Sequence, residues 1–299
     1  MKYSYAILQN RCKDLIDPYN QLKDKIFETY EDNKFQIFLN YFKKCFFRLL
    51  RKTKIIKDLP VSIQCNCKWK RKIKKINNWI IFYDSNQAKL ICEYIKRYNP
   101  TAHVYAYSWD IKFIPQKDSC FNGIGTFDLM QAKTYNIAFY SQFYSYSKKF
   151  HHFIKPIQSN FSFVFLGRKK NRYNTIIKTK QLCDSVDKNS YWKIINDTEP
   201  GIRYIDYLGI IYNCKCIIDI VIDGQSGLSL RVMEALFFNK KLITNNKHIS
   251  KMDFYNPNNI FILDIDKELN SFMEKQYQTV PDSIKNNYLL DSFVKRITQ

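Results

Sequence analysis

Residues Cys216–Asn246 read CIIDIVIDGQSGLSLRVMEALFFNKKLITNN, and their pattern decides the fold class. Ile217 to Ile222 is a short, nearly continuous apolar run, as expected of a strand buried on both faces. Asp223-Gly224-Gln225-Ser226-Gly227 is turn chemistry. Leu228 to Phe238 carries strong helix formers at the apolar spacing of a packed helix. Lys241 to Thr244 then resumes a strand. A Gly/Ser turn feeding a helix N-terminus presents unpaired N–H groups and the positive end of the helix dipole, which suits a phosphate. Arg231 and Glu234 lie three residues apart on one face of that helix, near its start. Two readings stand for them: ligand contacts, or a surface ion pair of the usual i,i+3 kind.

Working outward, further α/β units flank this stretch. WIIFYDS (Trp79 to Ser85) reads as a buried strand, Asn86 to Tyr98 as a helix ended by Asn99-Pro100, and His103 to Ser108 as the next strand. Strand, helix and strand make a right-handed crossover. Asp84 and Asp110 follow the carboxyl ends of strands, where open α/β sheets bind ligands. Residues 111–150 are less regular, with many aromatics. FSFVFLG (Phe161 to Gly167) opens a second α/β region and runs into Arg168, Lys169, Lys170 and Arg172. Tyr204 to Asn213 reads as a helix and Asn259 to Asp264 as a strand. Pro281-Asp282-Ser283 starts a terminal helix whose apolar face is Ile284, Tyr288, Leu289 and Phe293. The expected domains are a basic aromatic segment 1–75, a Rossmann-like domain 76–155 and a second Rossmann-like domain 156–299, with a ligand cleft between the last two.

The chain has 299 residues, 45% hydrophobic and 25% charged, enough for two globular domains. No stretch approaches the length of a membrane-spanning helix, and the opening MKYSYAILQNRCKDL lacks the apolar core of a signal peptide, so the expected location is the cytoplasm. Nine irregularly spaced cysteines form no disulfide framework. Cys65-x-Cys67 and Cys214-x-Cys216 are tighter than zinc-knuckle spacing, so no metal is expected. The formal charge is +21, from 48 Lys and Arg against 27 Asp and Glu, which implies an anionic partner; AT-rich coding supplies a competing explanation for part of it. Phe35 to Lys54 reads as an amphipathic helix with Phe38, Phe42, Phe46 and Leu49 on one side, and KWKRKIKK (Lys68 to Lys75) follows. Such a leader suits either an anionic membrane surface or packing on its own domain. No zinc-finger, RNP or helix-turn-helix pattern accompanies the charge, so nucleic acid is not the expected partner.

In the order WIIFYDS, NPTAHVYAYSWD, TFDLMQAKTYNIAFYSQFY, FVFLGRKKNR, YIDYLGII, DIVIDGQSGLSLRVMEALFFNKKLITNN, DFYNPNNIFIL and NNYLLDSFVKRI, the chain from Trp79 onward resembles the GT-B-fold glycosyltransferases of bacterial surface polysaccharide (lipopolysaccharide and capsule) biosynthesis. The resemblance implies an α/β, GT-B-like fold of two Rossmann-type domains facing a central cleft; the first 75 residues, read above as a helical basic N-terminal leader, find no support in it. It implies a nucleotide-sugar donor (UDP-sugar first) as substrate, no cofactor and no metal. The acceptor would be a glycan or lipid-linked glycan at the inner face of the cell membrane, to which the protein would bind peripherally. On the residues that match the family's motifs, Gly167, Arg168 and Lys170 would meet the diphosphate, as would Gln225, Ser226, Gly227, Ser229 and Arg231, while Glu234 would bond ribose hydroxyls. Many retaining members carry a glutamate where this chain has Ser226. An inverting reaction needs a base, for which Asp84, Asp110, Asp128 and His151 are candidates and Asp110 the first choice; a strand-end Asp is also a common turn cap. The alternative is a non-catalytic GT-B-like binding subunit of a polysaccharide assembly complex.

Overall fold

The computed structural model describes residues 4–9, 13–30, 45, 65–82, 87–112, 118–146, 150–157, 160–196 and 198–299. Two parallel sheets organise them, so the protein is α/β with two Rossmann-type sheets, as its strand–helix–strand units predict. By contacts the chain divides into two compact units, residues 1–126 with 297–299, and residues 127–296.

The first sheet has six strands in the order β2-β1-β3-β4-β5-β6. They are β1 Tyr5–Gln9, β2 Ile26–Glu28, β3 Asn78–Phe82, β4 His103–Ser108, β5 Gly123–Thr126 and β6 Ala138–Phe139. The pairings β1–β2, β1–β3, β3–β4 and β4–β5 are parallel. All five residues of β1 are buried, and so are the last four of β3 and the last five of β4. These are the near-continuous apolar runs that a sheet covered on both faces requires. Helix α1 (Gln87–Tyr98) returns the chain between β3 and β4, burying Ala88, Ile91, Cys92 and Ile95 at helical spacing.

The first segment is therefore not a separate helical leader in its described parts. β1 pairs directly with β3, and Trp69 and Ile73 lie in the same core as Trp79, the two indoles 6.0 Å apart edge to face. YAILQ is too short to announce itself as a strand, and its partner lies more than 70 residues further on. The amphipathic helix expected over 35–54 falls outside the described residues apart from Cys45.

The second sheet runs β11-β10-β9-β7-β8, all pairings parallel. Its strands are β7 Phe163–Arg168, β8 Ser190–Ile195, β9 Cys216–Asp219, β10 Lys241–Thr244 and β11 Ile260–Ile262. Helix α2 (Leu129–Tyr135) opens this unit; α3 (Tyr173–Asp184), α4 (Tyr204–Tyr212) and α5 (Leu230–Phe237) link its strands. β8 and α3 escape the sequence reading, because SYWKII is a half-buried edge with weak patterning. The expected terminal helix is broken into α6 (Asp282–Lys285) and α7 (Leu290–Ile297). Between them Leu289 turns extended and pairs with Tyr144 through Tyr144 N–H to the Tyr288 carbonyl (2.7 Å) and Leu290 N–H to the Tyr144 carbonyl (3.1 Å). Those bonds, with Phe143 stacked 4.4 Å from Phe293, also show why residues 127–155 cluster with the second unit instead of closing the first at 155.

Gly209 sits inside α4, where alanine is ordinarily better by about 1 kcal/mol. Here a Cβ would lie 2.5 Å from the backbone oxygen of Lys155. The steric term should win: Gly209→Ala is expected to lower stability by about 1–3 kcal/mol, read as a reduced urea midpoint. An unchanged or raised midpoint would contradict the close approach.

Candidate functional site

The stretch 216–246 folds as read: β9, turn, α5, β10. Asp219 ends β9 with a fully buried carboxylate, and three groups converge on it. Ser229 donates from Oγ (2.7 Å), Arg231 from Nη1 (3.3 Å) and Thr244 from Oγ1 (3.3 Å). Ser229 in turn caps α5 by accepting from Arg231 N–H (3.1 Å). One carboxylate thus sets the helix start, the arginine and the neighbouring strand.

Arg231 reaches back to β7. Its Nε and Nη2 donate to the Leu166 carbonyl at 3.0 and 2.6 Å, and its guanidinium lies 5.7 Å from the Phe165 ring centre. Arg172, in the turn after β7, meets it there. A Cβ on Gly167 would stand 2.7 Å from Arg231 Nη2 and 3.1 Å from Arg172 Nη2, so this glycine makes room for two guanidiniums at one strand end. Arg172 donates to the backbone carbonyls of Arg168 (3.2 and 3.1 Å) and Ile220. Burial, and then the like charge of Arg231, lowers its pKa to about 10, which leaves it a cation at neutral pH. Each guanidinium has five N–H groups and spends three on these bonds, leaving donors at each head. Arg231 is ion-paired with Asp219 and keeps 18% of its side-chain surface exposed, while Arg172 feels that carboxylate only at longer range. The pair is a point of net positive charge at the carboxyl edge of a parallel sheet, suited to a phosphate.

The other expected contacts are arranged differently. Arg168 donates Nη1 to the carbonyls of Asn196 (2.8 Å) and Glu199 (3.1 Å), bracing that loop. Lys170 is exposed with φ of 42°. Gln225 donates to the Gly227 carbonyl (3.1 Å) and Gly224 holds the positive φ of 82° that the turn requires.

The N–H groups of Ser226 and Gly227, read from the sequence as a phosphate cradle, are taken by a carboxylate of the protein itself. Asp128 Oδ2 accepts from Ser226 N–H (2.6 Å) and Gly227 N–H (2.7 Å), while its Oδ1 accepts from Ser226 Oγ (2.9 Å) and from Gln131 N–H at the start of α2 (3.0 Å). Asp128 is fully buried, and these four donors satisfy its two oxygens. Gly227 lets this happen, because a Cβ there would strike the Phe127 ring at 2.6 Å. No sequence signal couples residues 98 and 99 positions apart.

Glu234 is also enclosed. It is 1% exposed, and its two oxygens accept from Tyr204 Oη and Tyr207 Oη, each at 2.8 Å. Tyr204 Oη shares a further bond with Tyr144 Oη at 3.0 Å. Burial raises the Glu234 pKa to about 7 against the opposing pull of the two hydroxyls and Arg231. Of the candidate bases, Asp110 is exposed after β4 and its Oδ1 accepts from Lys112 N–H (3.0 Å), a turn-capping bond. Asp128 is the buried ligand just described; Asp84 and the side chain of His151 lie outside the described residues. Among the described residues no group of three His, Cys, Asp or Glu is placed to hold a metal, and no helix is long and apolar enough to cross a membrane.

No protein-family model matches the chain, and no curated protein matches it. Among solved structures, one described as "Crystal structure of GtfA/B complex" overlays at a TM-score of 0.40 and 10% identity, covering 74% of this chain and 56% of that one. The chain thus spans little more than half of that neighbour's length. A likeness so loose says nothing about chemistry, which is read from the residues above.

Two outcomes follow from the enclosed carboxylates. An acid whose pKa rises on folding, from 4.5 to about 7, is held protonated by the native state, so its contribution favours folding below 4.5 and is lost as pH climbs to 7. Glu234→Gln should flatten the fall in stability across that window in urea unfolding at stepped pH; an unchanged slope would contradict the buried acid. Asp128→Ala leaves two buried N–H groups without an acceptor and should cost about 2–4 kcal/mol, measured as a lowered thermal midpoint.

Proposed function

We propose that this chain is a glycosyltransferase that moves a sugar from a nucleotide-sugar donor, UDP-sugars the first to test, to a hydroxyl of a surface glycan or its lipid-linked precursor. The observation that carries the reading is the convergence of Arg172 and Arg231 on Gly167, with Asp219 paired to Arg231. In such a transfer the acceptor oxygen bonds to the anomeric carbon as the bond from that carbon to the diphosphate oxygen breaks. Negative charge grows on the leaving diphosphate, and prepositioned guanidiniums stabilise it without reorganising. Arg168 and Lys170 stand on the same turn and would add to the positive field. The acceptor proton passes to a base, for which Asp110 is the exposed strand-end carboxylate to try first.

A second reading, a donor-binding subunit without turnover, is favoured by one specific finding. The Ser226 and Gly227 N–H groups and both Glu234 oxygens are engaged by Asp128, Tyr204 and Tyr207. Release of free nucleotide in the presence of acceptor separates the two readings.

Calorimetric titration of UDP and UDP-sugars tests the site. Arg172→Ala should weaken binding by about tenfold or more, the value of one charge-assisted contact, while Arg172→Lys recovers part of it. Equal affinity in Arg172→Ala and the parent chain would remove the arginine pair from the donor site.

A further inference from the structure

A second concentration of charge lies in the first unit and shares no residue with the arginine pair. The run Lys68–Lys75 is Lys or Arg at six of its eight positions. The other two, Trp69 and Ile73, are buried in the core at 0% and 3% exposure. Two short helical turns, Cys67–Lys70 and Ile73–Lys75, thus anchor through their apolar residues, with Lys68, Arg71, Lys74 and Lys75 exposed.

Tertiary structure extends this patch. Lys72 bonds Asp24 at 2.8 Å and lies 5.3 Å from the Phe27 ring centre, which brings in the turn carrying Lys23 and Lys25. Asn99 donates Nδ2 to the carbonyls of Ile73 (2.9 Å) and Ile76 (3.2 Å), and the rings of Trp69, Tyr94 and Tyr98 follow one another at 6.1 and 4.8 Å. Those contacts add the last turn of α1 with Lys96, Arg97 and the half-exposed Tyr98. Within these three segments Asp24 is the one carboxylate, and it is spent on Lys72. The segments lead into β2, β3 and β4, so the face lies at the amino edge of the sheet, opposite the edge that Asp110 follows.

We infer that this composite face docks on an anionic phospholipid surface. The charge is dense, interrupted within these segments by Asp24, and mostly lysine, whose ammonium groups act as point charges toward a diffuse field of headgroups. Single-stranded nucleic acid calls for a row of exposed aromatic platforms, whereas among the described residues of this face Trp69 is buried and Tyr98 is half-exposed. Tyr98, apolar in body and polar at its tip, suits the headgroup boundary. The contact is electrostatic and therefore reversible by salt.

Vesicle flotation of the full chain tests the assignment, with phosphatidylcholine alone against a mixture carrying about a third phosphatidylglycerol. The chain should float with the anionic vesicles only, and less as salt rises. A variant with Lys68→Glu, Arg71→Glu and Lys75→Glu should lose about tenfold or more in vesicle affinity with its thermal midpoint and UDP affinity unchanged. Equal flotation of variant and parent would overturn the inference. So would loss confined to a control bearing Lys44→Glu and Arg48→Glu, which would move the contact to the segment read from the sequence. Tighter binding to random-sequence RNA than to the anionic vesicles, lost in the same triple variant, would replace lipid by nucleic acid.

Discussion

Asp219 is the constraint on which the second unit's site depends. It is a carboxylate with no exposed surface, and such a group is tolerable only when donors and a cation answer it. Ser229, Thr244 and Arg231 do so, and each carries a different part of the structure. Through Ser229 the helix α5 starts where it does; through Thr244 β10 is held in register at its far end; through Arg231 the guanidinium is drawn across to the Leu166 carbonyl. Arg172 is then left beside a neighbour whose charge is already partly balanced. Removing one partner of a buried pair like this is ordinarily far more costly than the pair's net worth, because the remaining charge is stranded.

The Gly/Ser turn shows how one physical device serves either of two ends. Successive backbone N–H groups at a helix start attract an anion, and the anion's source is not specified by the turn. In this protein a carboxylate from the segment entering α2 fills the place, fastening Phe127 and Asp128 to the turn before α5. The turn becomes a joint. Anion capacity passes to the arginine pair a strand away, where a glycine rather than a cradle of amides provides the room. Glu234 follows the same logic: two tyrosine hydroxyls satisfy it as well as ribose hydroxyls would, and burial drives it toward neutrality.

Much of the fold was legible because central parallel strands and packed helices write themselves locally. His103–Ser108 and Lys241–Thr244 coincide with their expected bounds, and α1, α4 and α5 fall within one or two residues of theirs. The misses share a cause. β1 and β2 are short, β8 is an edge, and the helix after Pro281 is broken by a strand-like contact with Tyr144, so each depends on a partner remote in sequence. Residues 65–76 looked like part of a basic leader because six cations outnumber the apolar anchors Trp69, Ile73 and Ile76, and the uncharged YAILQ before them is too short to stand out as a strand.

By itself the sequence determined the α/β class, the strand–turn–helix at 216–246 and the presence of cations after β7, all of which follow from residue order over a dozen positions. Only the tertiary structure decided which cations meet. It set Arg172 beside Arg231 over Gly167, gave the Ser226–Gly227 amides to Asp128 and enclosed Glu234 between two tyrosines. Those outcomes are contests among hydrogen-bond donors and acceptors for buried partners, and the winners lie as far as 99 residues apart. Local pattern names the contestants; packing alone chooses among them.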